Sequence, residues 1–168
     1  MWQRLLKAIQ TRPTSKGWAE CVLMALVAVA LIAAIAFPGG VAAWRPDFSD
    51  WPQHLLKVMI VPALGEEIVF RGLLIPGRGD TVRPIAWITA GVAFFVAWHV
   101  IEALTVLPGA HLFLTVPFLV CAGILGLACA LMRYRTRSLW PAVLFHGLVV
   151  FLWQAAFNGP EVAVLLKP

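Results

Sequence analysis

Five stretches of the chain are apolar over a length that can cross a bilayer, and short polar connections separate them. They run from Trp18 to Phe37 and over residues 53–76, 85–107, 112–132 and 139–157. At a rise of about 1.5 Å per residue, each suits a hydrocarbon core about 30 Å thick. The connections read as turns: "PGG" after the first stretch, "PGRGDTVRP" after the second, "PGAH" after the third and "RYRTRS" after the fourth. The pattern predicts an all-α fold, a polytopic membrane helix bundle of about five transmembrane helices.

The second stretch is the least apolar, because it carries His54, Lys57, Pro62 and then Glu66, Glu67 and Arg71 in "PALGEEIVFRGLL". Pro62 has no N–H to offer the carbonyl of Val58, so a bend or a local opening is expected one turn before Glu66.

Composition agrees with a lipid environment. The 168 residues are 61% hydrophobic and 12% charged, with a mean hydropathy of +0.88; a soluble domain is roughly 45–50% apolar and 25% charged. The net charge of +5 does not form a nucleic-acid footprint, because the basic residues sit in short clusters beside apolar runs. Arg4, Lys7, Arg12 and Lys16 precede the first stretch, Arg78 and Arg83 follow the second, and Arg133, Arg135 and Arg137 follow the fourth. The alternate connections hold only Arg45 (beside Asp47 and Asp50), none, and Lys167 in the tail. That alternation predicts a cytoplasmic N-terminus and a C-terminus outside.

Cys21, Cys121 and Cys129 lie within apolar runs, without a CxxC spacing or a neighbouring His, and read as packing residues. The first stretch is longer than the roughly 7–15 residues of a cleaved signal core and is expected to remain as a helix. The expected organisation is residues 1–52 as basic N-terminus, first transmembrane helix and outer loop; 53–157 as a catalytic core of four transmembrane helices; and 158–168 as a short tail.

Few ionisable residues fall inside these stretches: Glu66, Glu67, Arg71, His99, Glu102 and His146. A charge at mid-membrane costs at least about 2.5–3.5 kcal/mol, so such residues face the bundle interior and are functional candidates. Counted from the cytoplasmic ends, Glu66 lies about 15 Å deep, His99 about 21 Å and His146 about 10 Å, close enough to converge. Glu67 and Arg71 stand at i, i+4 with the acid first, the favourable order for an ion pair and equally the signature of a structural clamp. Glu66 points about 100° away around the helix and is left free. A carboxylate held out of water can serve as a general base toward water, and His99 and His146 can hydrogen-bond a water, a carbonyl or a developing oxyanion. Those are the parts needed for peptide hydrolysis without a covalent nucleophile. A satisfied core histidine is the competing account of either ring. Glu102, one turn beyond His99, either supports that imidazole or lies at the interface. His54 and His111 read as interfacial, and Trp18, Trp44, Trp51 and Trp140 as boundary markers.

Other schemes have less to work with. There is no HExxH and no GxSxG, and the serines, Ser15, Ser49 and Ser138, lie outside or at the edge of the spans. A divalent metal such as zinc bound by Glu66, His99 and His146 is chemically reasonable, since two His and a carboxylate leave an open coordination site.

Three motifs together resemble the CPBP intramembrane proteases, the CAAX protease and bacteriocin-processing (Abi or Rce1-like) family. "EEIVFR" (Glu66, Glu67, Arg71) is similar to its EExxxR, "FVAWH" (Phe95 to His99) to its FxxxH, and "SLWPAVLFHGLVV" to its last motif, with His146 following a Ser-Leu-Trp-Pro turn. The likeness covers roughly residues 53–157. It implies a glutamic-type intramembrane endopeptidase that needs no cofactor. Glu66 would activate water, His99 would assist, His146 would stabilise the oxyanion, and Glu67, Arg71 and Phe95 would support them. The last motif usually continues HxxxN. Here that position is Val150, and Gln154 on a similar face is the expected substitute. The short chain resembles members that process C-terminal sorting tags of the JDVT-CTERM type, in a bacterial inner membrane. Its partners would be the lipid bilayer and a membrane-anchored protein or peptide substrate, with no nucleic acid. A non-catalytic membrane binding or immunity protein, suggested by Val150, and a small proton-coupled transporter are the alternative functions.

Overall fold

A computed structural model describes residues 2–161 and 165. Among them no strand forms beyond an isolated parallel bridge between Arg45 and Phe157; the fold is an all-α membrane helix bundle. Six helices follow one another: α1 (Trp2–Gln10), α2 (Ser15–Ala36), α3 (residues 51–73), α4 (Pro84–Thr105), α5 (Val116–Thr136) and α6 (Trp140–Ala156). Pro52, Pro84, Pro117 and Pro141 each stand in a first turn, where a missing N–H leaves no bond unmade. α2 is capped instead by Thr14, whose hydroxyl accepts from the Gly17 N–H at 3.1 Å.

α2, α4 and α5 are long and apolar enough to cross a membrane, and α6 is a shorter apolar helix. α5 is the central post, packed against α2, α4 and α6. More than half of its apolar window is buried, against 17% in α2 and α4. The outer faces of those two helices present Val22, Leu23, Leu26, Phe94, Ile101 and Leu104, an apolar surface suited to lipid rather than water. The chain is an integral membrane protein.

α3 departs from regular geometry. Met59–Leu64 and Ile68–Leu73 are π-helical, separated by one α-turn at Gly65–Glu67. The opening expected at Pro62 is therefore present as the first wide turn, in which the Gly65 N–H reaches back to the Ile60 carbonyl. The second wide turn contains no proline.

Two boundaries differ from the hydropathy reading. The fourth span does not start at 112: His111–Leu114 form a 3-10 turn, and Pro117 sets the helix start, so α5 extends to Thr136 and takes in Arg133 and Arg135. The basic N-terminus is also a helix. Leu5 and Ala8 bury one side of α1 against Ala63, Leu139 and Val143. Leu139 N–H donates to the Ala8 carbonyl at 2.9 Å, and Trp140 Nε1 donates to that of Ile9 at 2.8 Å. α1 thus closes the end of the bundle that carries the basic connections. There Arg4 donates to the carbonyls of Leu73 and Leu74, Arg137 to that of Arg78, and Arg135 pairs with Glu20 at 2.9 Å.

At the opposite end, residues 43–47 run along the last turn of α6. The N–H groups of Ala43, Arg45 and Asp47 donate to the carbonyls of Phe157, Ala156 and Ala155.

Candidate active site

Three helices supply the polar residues: α3 brings Glu66, Glu67 and Arg71, α4 brings Phe95, His99 and Glu102, and α6 brings His146. Glu67 and Arg71 are fully buried, and Arg71 Nη1 lies 3.0 Å from Glu67 Oε1. Its angle falls outside hydrogen-bonding geometry, so this contact is Coulombic. The guanidinium is fixed elsewhere: Nη2 donates to the Gly126 carbonyl at 3.1 Å, and its carbon sits 4.1 Å from the centroid of the Phe95 ring, within cation–π range. Gly126 permits this approach, because a Cβ there would fall 2.9 Å from Phe95 Cδ1 and 3.2 Å from Arg71 Nη2.

Glu67 also accepts from His146 Nδ1 at 2.9 Å. An ionised carboxylate accepts only, so Nδ1 carries the proton and Nε2 is the atom presented to the site. That Nε2 lies 3.9 Å from Glu66 Oε2. His146 reaches this depth because α6 meets the first wide turn of α3 at Gly147, where a Cβ would fall 2.2 Å from Met59 Sδ. Across the site, His99 Nδ1 donates to the Phe95 carbonyl at 2.8 Å, which again turns Nε2 inward. Phe95, fully buried, meets both imidazoles edge to face, at centroid distances of 4.7 Å to His99 and 5.8 Å to His146. The two rings therefore hinge on one aromatic post.

Glu66 is the group left over. Oε2 is buried without a hydrogen-bond partner, and the carboxylate, His99 and Glu102 offer ligand atoms within 4.8 Å of one another. All three line, with His146, an otherwise apolar cavity of about 260 Å³ between α2, α4, α5 and α6. A water touching both Glu66 Oε2 and His146 Nε2 at about 2.8 Å would sit to one side of the line joining them.

The structure thus brings together Glu66, His99 and His146, with Glu67, Arg71 and Phe95 behind them. Glu102 belongs with the first group. Its signal in the sequence was its position one turn from His99, which alone does not reveal that the turn faces Glu66. Gln154 is placed differently from expectation: its Oε1 accepts from His54 Nε2 at 2.7 Å and its amide donates to the Pro160 carbonyl at 3.0 Å. Its hydrogen-bonding capacity is committed there, not to a position beside His146. His54 is correspondingly a partner of α6, not a free interfacial residue.

A membrane bundle that holds a free carboxylate, two oriented imidazoles and a polar clamp around an internal cavity has the makings of an intramembrane hydrolase. Residues 48–152, well over half of the chain, match the family described as Type II CAAX prenyl endopeptidase Rce1-like, and the chain belongs to that family. Its class is that of the CAAX-type intramembrane endopeptidases. No curated protein and no solved structure matches the chain.

Proposed function

We propose that the protein hydrolyses a peptide bond near the membrane anchor or C-terminal segment of a substrate protein, with Glu66 activating the attacking water. The observation that carries this reading is the division of labour on α3: Glu67 is spent on Arg71 and His146, whereas Glu66 faces the cavity with an unpaired oxygen. Glu66 takes a proton from water as its oxygen attacks the scissile carbonyl, and returns it to the leaving amine. His99 Nε2 orients the water. His146 Nε2, in its protonated form, donates to the oxyanion, while Glu67 holds the ring in place from behind. The apolar wall of the cavity receives the anchoring segment of the substrate, and removal of a C-terminal sorting tag is the processing step we favour.

A second reading rests on the cluster of Glu66, His99 and Glu102. Two carboxylates and an imidazole within 4.8 Å also suit a divalent cation such as zinc, which would supply Lewis acidity at the same place. The test is co-expression of wild type, Glu66→Gln, His99→Ala and His146→Ala with a panel of candidate tailed substrates, with and without a chelator. Cleavage that is lost in Glu66→Gln and resists chelation supports the glutamate reading. Loss on chelation and recovery with added metal supports the second. If all variants at normal abundance process like wild type, the carboxylates are structural and both readings fall.

A further inference from the structure

Hydrolysis consumes water, and a site walled by lipid-facing helices must draw it from one membrane face. The two ends of the bundle are not equivalent in this respect. At the basic end α1 lies across the helices, and Arg4 and Arg137 are spent on backbone carbonyls. The cavity instead reaches toward the opposite end, where Phe37, Leu107, Phe113, Trp153 and Pro160 line it. Each of those residues lies at or beyond the helix end away from the arginine-rich connections.

Beside the cavity at that same end is a second hollow of about 290 Å³, and Gln154 lines both. The second hollow is polar and of mixed sign: Arg45 and Lys57 face Asp50 and Glu161 across it. Asp47 adds a fixed negative charge, because the N–H and hydroxyl of Ser49 both donate to it and hold its carboxyl below the ordinary range. Charges of both signs do not describe an anion or cation site. They suit a short stretch of hydrophilic polypeptide, whose amides and side chains offer donors and acceptors in turn. Between the hollows stands one hydrogen-bonded pair, His54 with Gln154.

We propose that the catalytic cavity is served from the membrane face opposite the basic loops, the non-cytoplasmic face. There the hollow bounded by Arg45, Asp50, His54, Lys57 and Glu161 holds the hydrophilic flank of a membrane-anchored substrate and admits water past the His54–Gln154 pair. The docking part rests on the peptidase reading; the sidedness does not. It makes the substrate a protein whose cleavable segment has already been carried across the membrane.

The test uses two single-cysteine probes in the full chain, Asp50→Cys in the polar hollow and Val82→Cys in the basic connection, where Val82 is 95% exposed. The three native cysteines are buried. A membrane-impermeant maleimide is applied to right-side-out spheroplasts and to inverted vesicles. The expected result is labelling of Asp50→Cys only in spheroplasts and of Val82→Cys only in inverted vesicles; the reverse pattern overturns the sidedness without reference to activity. Each variant is then compared before and after labelling on a tailed substrate that wild type cleaves. A bulky maleimide on Asp50→Cys should slow cleavage at least ten-fold, and on Val82→Cys leave it unchanged. Equal cleavage before and after labelling at Asp50→Cys overturns the docking role. Failure of wild type to cleave any tailed substrate removes the peptidase reading and the docking role with it, while the labelling still decides the side.

Discussion

Glu66 and Glu67 are neighbours in the chain, yet the two faces of α3 they belong to are built in opposite ways. On the Glu67 face every group has a fixed partner: the carboxylate meets Arg71 and His146, and Arg71 reaches the Gly126 carbonyl and the Phe95 ring. On the Glu66 face the nearest groups stand off at 3.9 Å or share a cluster within 4.8 Å, and open space adjoins them. The first face is arranged to stay as it is and the second to admit something. Buried charge in a membrane protein therefore has two different explanations within one dipeptide, and partner geometry separates them where burial alone does not.

Substitutions should break this contrast in a graded way. The largest effect is expected from Glu66→Gln, which should lower cleavage by about 10²- to 10⁴-fold, the range for loss of a general base, with an unchanged melting temperature in detergent. Next comes Glu67→Ala, which strands Arg71 without its counter-charge and should destabilise the fold by about 3–5 kcal/mol. That loss is read as a lowered melting temperature and reduced abundance before any kinetic effect is considered. If Glu66→Gln unfolds the protein and Glu67→Ala leaves it stable, the assignment of the two faces is inverted. Gly126→Ala should cost about 1–3 kcal/mol by pressing on Phe95 and Arg71, measured by thermal denaturation. The smallest change is a gain: Val150 lines the cavity one turn after His146, and Val150→Asn would add a donor there, raising turnover by up to about ten-fold. An unchanged rate would show that the oxyanion position lies out of reach of that turn.

The sequence carried the apolar spans, the i, i+4 pair and the histidines, because hydropathy and helical spacing are local properties. What it carried less well depends on partners far along the chain. Pro62 announced the first wide turn of α3, but the second, over Ile68–Leu73, holds no residue that forbids an ordinary helix. α1 is nine residues long and buries only Leu5 and Ala8, so its basic residues outweighed its apolar side. Glu102 and Gln154 show the same limit in opposite senses. Spacing placed Glu102 near His99 without disclosing Glu66 on another helix, and it placed Gln154 on the face of His146 without disclosing His54, 100 residues away, as its partner.

The wide turns of α3 also make the site depend on how many residues the helix contains. A π-turn accommodates about one residue more than an α-turn before the chain comes round again. A chain one residue shorter within Met59–Leu64 could close into regular helix there. Everything after it would then rotate by about 100° relative to Trp51–Val58, carrying Glu66 away from the cavity and bringing Glu67 round in its place. Which of two identical side chains is free for chemistry is thus written partly as a length, so a single-codon deletion remote from either glutamate could exchange their surroundings while altering neither.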